Sequence, residues 1–183
     1  MRIDTEGPDI FSFQLFSPEF CRKAVEEISR IRRWNTGAVI GYDSPRWEAN
    51  PQTRRVQECD LTDCSFLADA WETSVPSVVD AAAMLCFQCK ASEFQQQVKI
   101  LRYERGDFFK SHYDLARSFP RILSLICYLN DNYSGGLTCF TRQQVRPKPA
   151  AGKALLFPSG ISHRHEGETV TRGTKFVLTA FFS

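Results

Sequence analysis

The sequence predicts an α+β protein in which N-terminal helices pack outside an antiparallel double-sheet core of the sandwich or jelly-roll kind. Three observations carry this. The chain has 183 residues, 43% hydrophobic and 13% aromatic, enough to bury a sizeable core as one domain. Apolar residues recur at helical spacing early in the chain. After Gln95 the text becomes a series of short β-prone segments, spaced by roughly ten residues and divided by Gly, Pro, Asn and Asp, as double-sheet β folds require. No repeat or low-complexity linker divides the chain. Residues 1–183 therefore read as a single domain, with a helical part over about 1–94 and a β core over about 95–183.

The first helix is predicted over "SPEFCRKAVEEISRI" (17–31), where Ser17 is a natural N-cap, Pro18 suits the first helical position and Glu19 lies in the first turn. Phe20, Ala24, Val25 and Ile28 form its apolar stripe. Trp34 to Asp60 is turn-rich and reads as a long loop between short strands; such loops are often functional. Residues 65–94 read as one or two helices, with Pro76 starting or kinking the second. The β segments follow: "QVKILRY", "FFKSHYD", "RILSLICYLN", "GLTCFTRQ", "GKALLFP", "SHRHEG" and "TKFVLTAFF".

The formal charge of +2 gives no global electrostatic reason to bind nucleic acid or membrane, and Arg30, Arg32 and Arg33 read as a solvated helix end. No apolar run approaches the ~18 residues that cross a bilayer, and "MRIDTEGPDI" lacks a signal-peptide core. A cytoplasmic protein is the expectation. The seven cysteines sit mostly in apolar contexts, as reduced thiols do. Cys86 and Cys89 form a lone CxxC, read as structural.

The chemistry centres on "FFKSHYDLA". On a strand, His112 and Asp114 project from one face and Tyr113 from the other. They offer two ligands to a divalent metal, and the third must be His163 or His165, the remaining histidines. Two histidines and a carboxylate with open positions suit non-haem iron, although the same donors also permit a zinc hydrolase. In "TKFVLTAFF", Lys175 shares a face with Val177, Thr179 and Phe181. Burying a lysine there is costly unless an anion meets it.

Together "LRYERGDFFKSHYD", "RILSLICYLNDNYSGGLTCF" and "GKALLFPSGISHRHEGETVTRGTKFVLTAFF" resemble, in order and over about residues 97–182, the Fe(II)/2-oxoglutarate dioxygenases of the prolyl 4-hydroxylase type. The resemblance implies a double-stranded β-helix (cupin-like jelly roll) and an enzyme using Fe(II), 2-oxoglutarate and O2, with ascorbate as a candidate reductant. It assigns the metal to His112, Asp114 and His165, since the family's distal histidine precedes Glu-Gly. It gives Lys175, ten positions beyond His165, the far carboxylate of 2-oxoglutarate. Lysine there resembles the collagen-type and bacterial prolyl 4-hydroxylases. Tyr128 is implied as a second contact to that carboxylate, with Tyr103, Thr138 and Thr179 lining the pocket and Ile126 on the methylenes. His163 is expected near the metal or facing substrate.

The implied reaction is hydroxylation of an unactivated C–H in a prolyl or other residue of a peptide or protein. The alternatives are a free amino acid or small natural product, or a silent 2-oxoglutarate-binding module. Asp114 disfavours a halogenase, which needs that ligand position vacated. Candidates for substrate contact are Trp47, Arg46 and Arg54 in the 41–55 loop, and Arg117 and Arg121 after the metal motif.

Overall fold

The structure is a computed structural model that describes residues 1–40, 47–85, 98–115 and 121–183. Helix α1 (Pro18–Ile28) starts as the sequence dictates: the Ser17 hydroxyl accepts the Phe20 N–H at 3.1 Å, and Pro18 opens the first turn. It buries Cys21, Ala24 and Ile28. Helix α2 (Ser65–Met84) is one continuous helix that carries Pro76 inside it. Residues 86–97, including Cys86 and Cys89, lie outside the described part.

Sixteen strands lie among the described residues. An eight-stranded antiparallel sheet runs in the order β1 (Asp4–Gly7), β2 (Ile10–Gln14), β13 (Lys153–Pro158), β10 (Leu123–Tyr128), β16 (Lys175–Phe182), β8 (Lys99–Tyr103), β7 (Gln57–Asp60) and β3 (Asn35–Thr36). A four-stranded sheet runs β12 (Thr138–Phe140), β14 (His165–Gly167), β9 (Phe108–His112) and β6 (Arg54–Arg55). Two ribbons pair β11 (Ser134–Gly135) with β15 (Val170–Arg172), and β4 (Ala38–Ile40) with β5 (Trp47–Ala49).

Alternation along the large sheet sorts its side chains into two cores. On β16, Phe176, Leu178, Ala180 and Phe182 join the helices' Cys21, Ala24, Ile28, Leu67 and Trp71. Val177, on the other face, joins Tyr103, Tyr128, Leu155 and Phe157, and meets Phe140 of the small sheet. The functional residues lie in this second layer, between the sheets.

The described part of residues 1–94 holds strands as well as helices, and so is less helical than the sequence suggested. Strands β1 and β2 extend one edge of the large sheet, β7 and β3 extend the other, and β6 borders β9 in the small sheet. These strands are two to five residues long, too short for alternation to show against turn-forming neighbours. "SHRHEG" also differs from a plain strand: Ile161–His163 forms a 3-10 turn, and only His165 enters β14.

Candidate metal centre and anion pocket

The metal-ligand candidates meet because β9 and β14 are antiparallel neighbours with His112 and His165 as register partners. Their rings lie 4.4 Å apart between centroids. Each Nδ1 is committed to a backbone carbonyl: His112 to Lys110 O at 2.8 Å, and His165 to His163 O at 3.0 Å. A carbonyl can only accept, so Nδ1 carries the proton and each Nε2 keeps a free lone pair. Both Nε2 atoms face Asp114, at 3.5 Å from Oδ1 for His112 and 3.7 Å from Oδ2 for His165. One ligand atom from each residue lies within 4.8 Å of the others, a spacing that one ion can span.

Asp114 is anchored from the large sheet. Its N–H donates to Ser159 O at 3.1 Å, and Oδ2 accepts the Ser124 hydroxyl at 2.6 Å. Ser124 and Ser159 are joined at 2.8 Å through their hydroxyls. Burial would raise the Asp114 carboxyl. The two imidazoles and the Ser124 hydroxyl outweigh it and hold the group well below the usual carboxylate range. Burial pushes His165 down to about 4, against the opposing pull of Asp114. The result is an anionic carboxylate beside a neutral imidazole, the protonation states a divalent cation requires. Phe109 stacks on His112 at 3.5 Å, while Phe157 and Phe140 stand 4.9 and 5.5 Å from His165, so apolar rings wall the cluster.

Lys175 opens β16 opposite Tyr103 and is 3% exposed. Its ammonium donates to Gly136 O at 2.6 Å and lies 5.2, 5.6 and 5.9 Å from the ring centroids of Tyr103, Tyr128 and Tyr133. No carboxylate among the described residues pairs with it. Burial lowers its pKa from 10.5 to about 7, with distant Glu168 opposing. Tyr128 donates to the Thr138 hydroxyl at 2.8 Å, and both are buried. Thr179 is half-buried on the Lys175 face of β16, opposite Ile126. An ammonium using one of its three donors inside an aromatic cage is an anion site by chemistry. These residues fit the far carboxylate of a 2-oxo diacid, and the His112, Asp114 and His165 donors fit Fe(II).

The residues expected to meet substrate fare differently. Arg54 is inside the protein: its guanidinium donates to Ala38 O at 2.6 Å, pairs with Glu58 at 2.9 Å and lies 4.9 Å over Phe109. Its two terminal nitrogens are therefore occupied, and it braces the ring that stacks on His112. Arg121 lies 3.7 Å over Phe181 and donates to Asp114 O at 3.3 Å, so it supports the metal loop from the rim. His163 was expected near the metal or facing substrate. The 3-10 turn sends its ring to Pro8 O at 3.1 Å and the Ser162 hydroxyl at 2.9 Å, leaving only its carbonyl to hold His165. Residues 41–46 and 116–120, with Arg46 and Arg117, and the Trp47 side chain lie outside the described part.

Sequence reasoning missed Ser124, Ser159, Phe109, Tyr133 and Gly136. None has a diagnostic spacing to the metal motif. Their roles arise from cross-strand placement, which a linear pattern does not encode. A second group of potential donors, Cys139, Glu166 and Glu168, lies across β12 and β14. There Glu168 is paired to Arg146 at 2.8 Å and burial raises the Cys139 thiol, so its donors are less ready for a metal.

Comparison with known proteins fits this geometry. Residues 98–183 match the model of the 2OG-Fe(II) oxygenase superfamily. The matched residues include His112, Asp114, His165 and Lys175. The chain is also similar to the multifunctional procollagen lysine hydroxylase and glycosyltransferase of Caenorhabditis elegans, 24% identical over 185 residues covering 99% of this chain and 25% of that protein. Human procollagen-lysine,2-oxoglutarate 5-dioxygenase 2 is 22% identical over 186 residues, 98% of this chain and 24% of that one. The chain thus spans about a quarter of the length of these curated relatives.

Among solved structures, a viral collagen prolyl hydroxylase from Paramecium Bursaria Chlorella virus-1, in complex with 2OG, superposes with a TM-score of 0.70 at 16% identity, covering 96% of each chain. A Pseudomonas putida prolyl-4-hydroxylase gives 0.71 at 18%, covering 95% of this chain and 91% of its own. The likeness shows that this chain shares with them a largely β fold with few helices.

Proposed function

We propose that this chain is an Fe(II)- and 2-oxoglutarate-dependent oxygenase that hydroxylates an unactivated C–H of an amino-acid residue within a peptide or protein. The observation that carries the proposal is the pairing of two sites in one layer. A His-Asp-His cluster has both free Nε2 atoms facing the carboxylate, and a buried lysine lacks an anion. A zinc hydrolase would leave Lys175 without a role.

In this reading the fold is a double-stranded β-helix built as one domain. In support, the two sheets share an apolar layer, and N-terminal strands extend both of them. His112, Asp114 and His165 would hold the metal, and the Lys175 ammonium would hold the co-substrate's far carboxylate. When bound, iron and 2-oxoglutarate supply the oxidising chemistry, in which one oxygen atom of O2 enters the substrate C–H and 2-oxoglutarate becomes succinate and CO2. The protein's share is positional. The backbone carbonyls fix the imidazole tautomers, Ser124 keeps Asp114 anionic and oriented, and Phe109, Phe140 and Phe157 limit water. A residue of a polypeptide is the favoured substrate because relatives covering nearly the whole chain are named for procollagen lysine.

The test is succinate release with Fe(II), 2-oxoglutarate and O2 against proline-containing peptides, lysine-containing peptides and free amino acids, with mass spectrometry of each substrate. Succinate coupled to a +16 Da peptide is expected, the addition being one oxygen atom. Hydroxylation of a free amino acid alone would reassign the substrate. No coupled succinate on any panel would contradict the proposal.

A further inference from the structure

The anion pocket contains one buried donor that the assignments above do not use. Tyr133 lies in the turn after β10, and its hydroxyl is shielded from solvent without a hydrogen-bond partner among the described residues. Leaving a hydroxyl buried and unpaired is costly, and folded proteins rarely keep one without a use. The neighbouring donors are at least partly spent. Tyr128 gives its proton to Thr138, and Lys175 gives one of its own to Gly136 O.

Local backbone geometry converges on Tyr133. Gly136 sits at φ +63, and a Cβ there would lie 2.8 Å from Val170 and 3.4 Å from both Lys175 Cδ and Tyr133 Cε2. Gly173 sits at φ +76, where a Cβ would come within 3.3 Å of Tyr133 Cα. Two glycines in the left-handed region thus let the tyrosine pack against the lysine stem. Burial, with Tyr128 nearby, pushes the Tyr133 phenol upward, so it stays a donor at neutral pH.

We propose that Tyr133 is the free hydroxyl that meets the far carboxylate of 2-oxoglutarate beside Lys175, while Tyr128 acts one step back through Thr138. The inference rests on the proposed function and deepens its co-substrate site. It makes Tyr133 a binding residue for the diacid end, with no part in holding the metal end.

The experiment is calorimetric titration of the full chain with Mn(II) in place of iron and oxygen excluded. The probes are 2-oxoglutarate and 2-oxobutanoate, which keeps the 2-oxo acid but lacks the far carboxylate. Tyr133→Phe is expected to weaken 2-oxoglutarate about tenfold, the worth of one hydrogen bond to a charged group. Binding of 2-oxobutanoate should stay within about twofold of wild type, which also reports an intact fold. Tyr128→Phe is expected to cost 2-oxoglutarate less than Tyr133→Phe does. Unchanged 2-oxoglutarate binding in Tyr133→Phe, an equal loss for both probes, or the reverse order of the two variants overturns the inference while the proposed function stands. If wild type binds neither probe, the proposed function falls and the inference falls with it.

Discussion

Replacing Lys175 with methionine should make the metal-free protein more stable and unable to respond to 2-oxoglutarate. The side chains are similar in length, so the change mainly removes a buried charge. Lowering the ammonium from 10.5 to about 7 implies a cost to the folded state on the order of 4 kcal/mol at pH 7 and about 2 kcal/mol at pH 9. The unfolded chain keeps its proton up to the higher value, whereas the folded chain releases it near the lower one. The penalty is therefore complete below about pH 7 and lifts as pH rises towards 10.5. Methionine leaves Gly136 O without its donor, which returns about 1–2 kcal/mol. The net expectation is a gain of about 2–3 kcal/mol at pH 7 that shrinks to near zero at pH 9. Urea unfolding of both metal-free proteins at the two pH values measures this difference directly. With metal present, 2-oxoglutarate at a hundred times its Kd should add about 2.7 kcal/mol to wild type and far less to the variant. A variant no more stable at pH 7, or a difference that does not shrink with pH, would refute the reasoning.

Ser124→Ala removes the hydroxyl held 2.6 Å from Asp114, and should weaken Mn(II) binding by about 10- to 100-fold in a calorimetric titration. His163→Gln should leave metal affinity within about twofold and cost about 1 kcal/mol of stability, because the carbonyl of this residue holds His165 while its ring is tied to Pro8. Arg54→Met strands Glu58 and unstacks Phe109; urea unfolding should show a loss of about 3 kcal/mol, with 2-oxoglutarate affinity close to wild type.

The i, i+2 spacing of His112 and Asp114 set the two toward one face, although β9 ends at His112, whereas His165 and Lys175, on β14 and β16, were singled out by the family resemblance. The choice between His163 and His165 was open to spacing alone. The structure separates their rings through a 3-10 turn that extended-strand reasoning does not contain. Ser124 and Tyr133 gave no linear signal. The first meets Asp114 through the placement of β10 beside the metal loop, and the second meets Lys175 through two positive-φ glycines. Arg54 was expected on a loop as a substrate contact, but β6 pairs with β9 and draws it inside. Strands β1 and β2 escaped notice for a similar reason. Each is short, and its identity comes from a partner strand far away in sequence, such as β13 for β2.

The most direct test of the account is a crystal structure of the protein with Mn(II) and 2-oxoglutarate, grown without oxygen. The account predicts a metal ligated by His112 Nε2, His165 Nε2 and the Asp114 carboxylate, with the far carboxylate of 2-oxoglutarate on the Lys175 ammonium. A metal on His163, or on the Cys139, Glu166 and Glu168 group, or a diacid that does not reach Lys175, would contradict it.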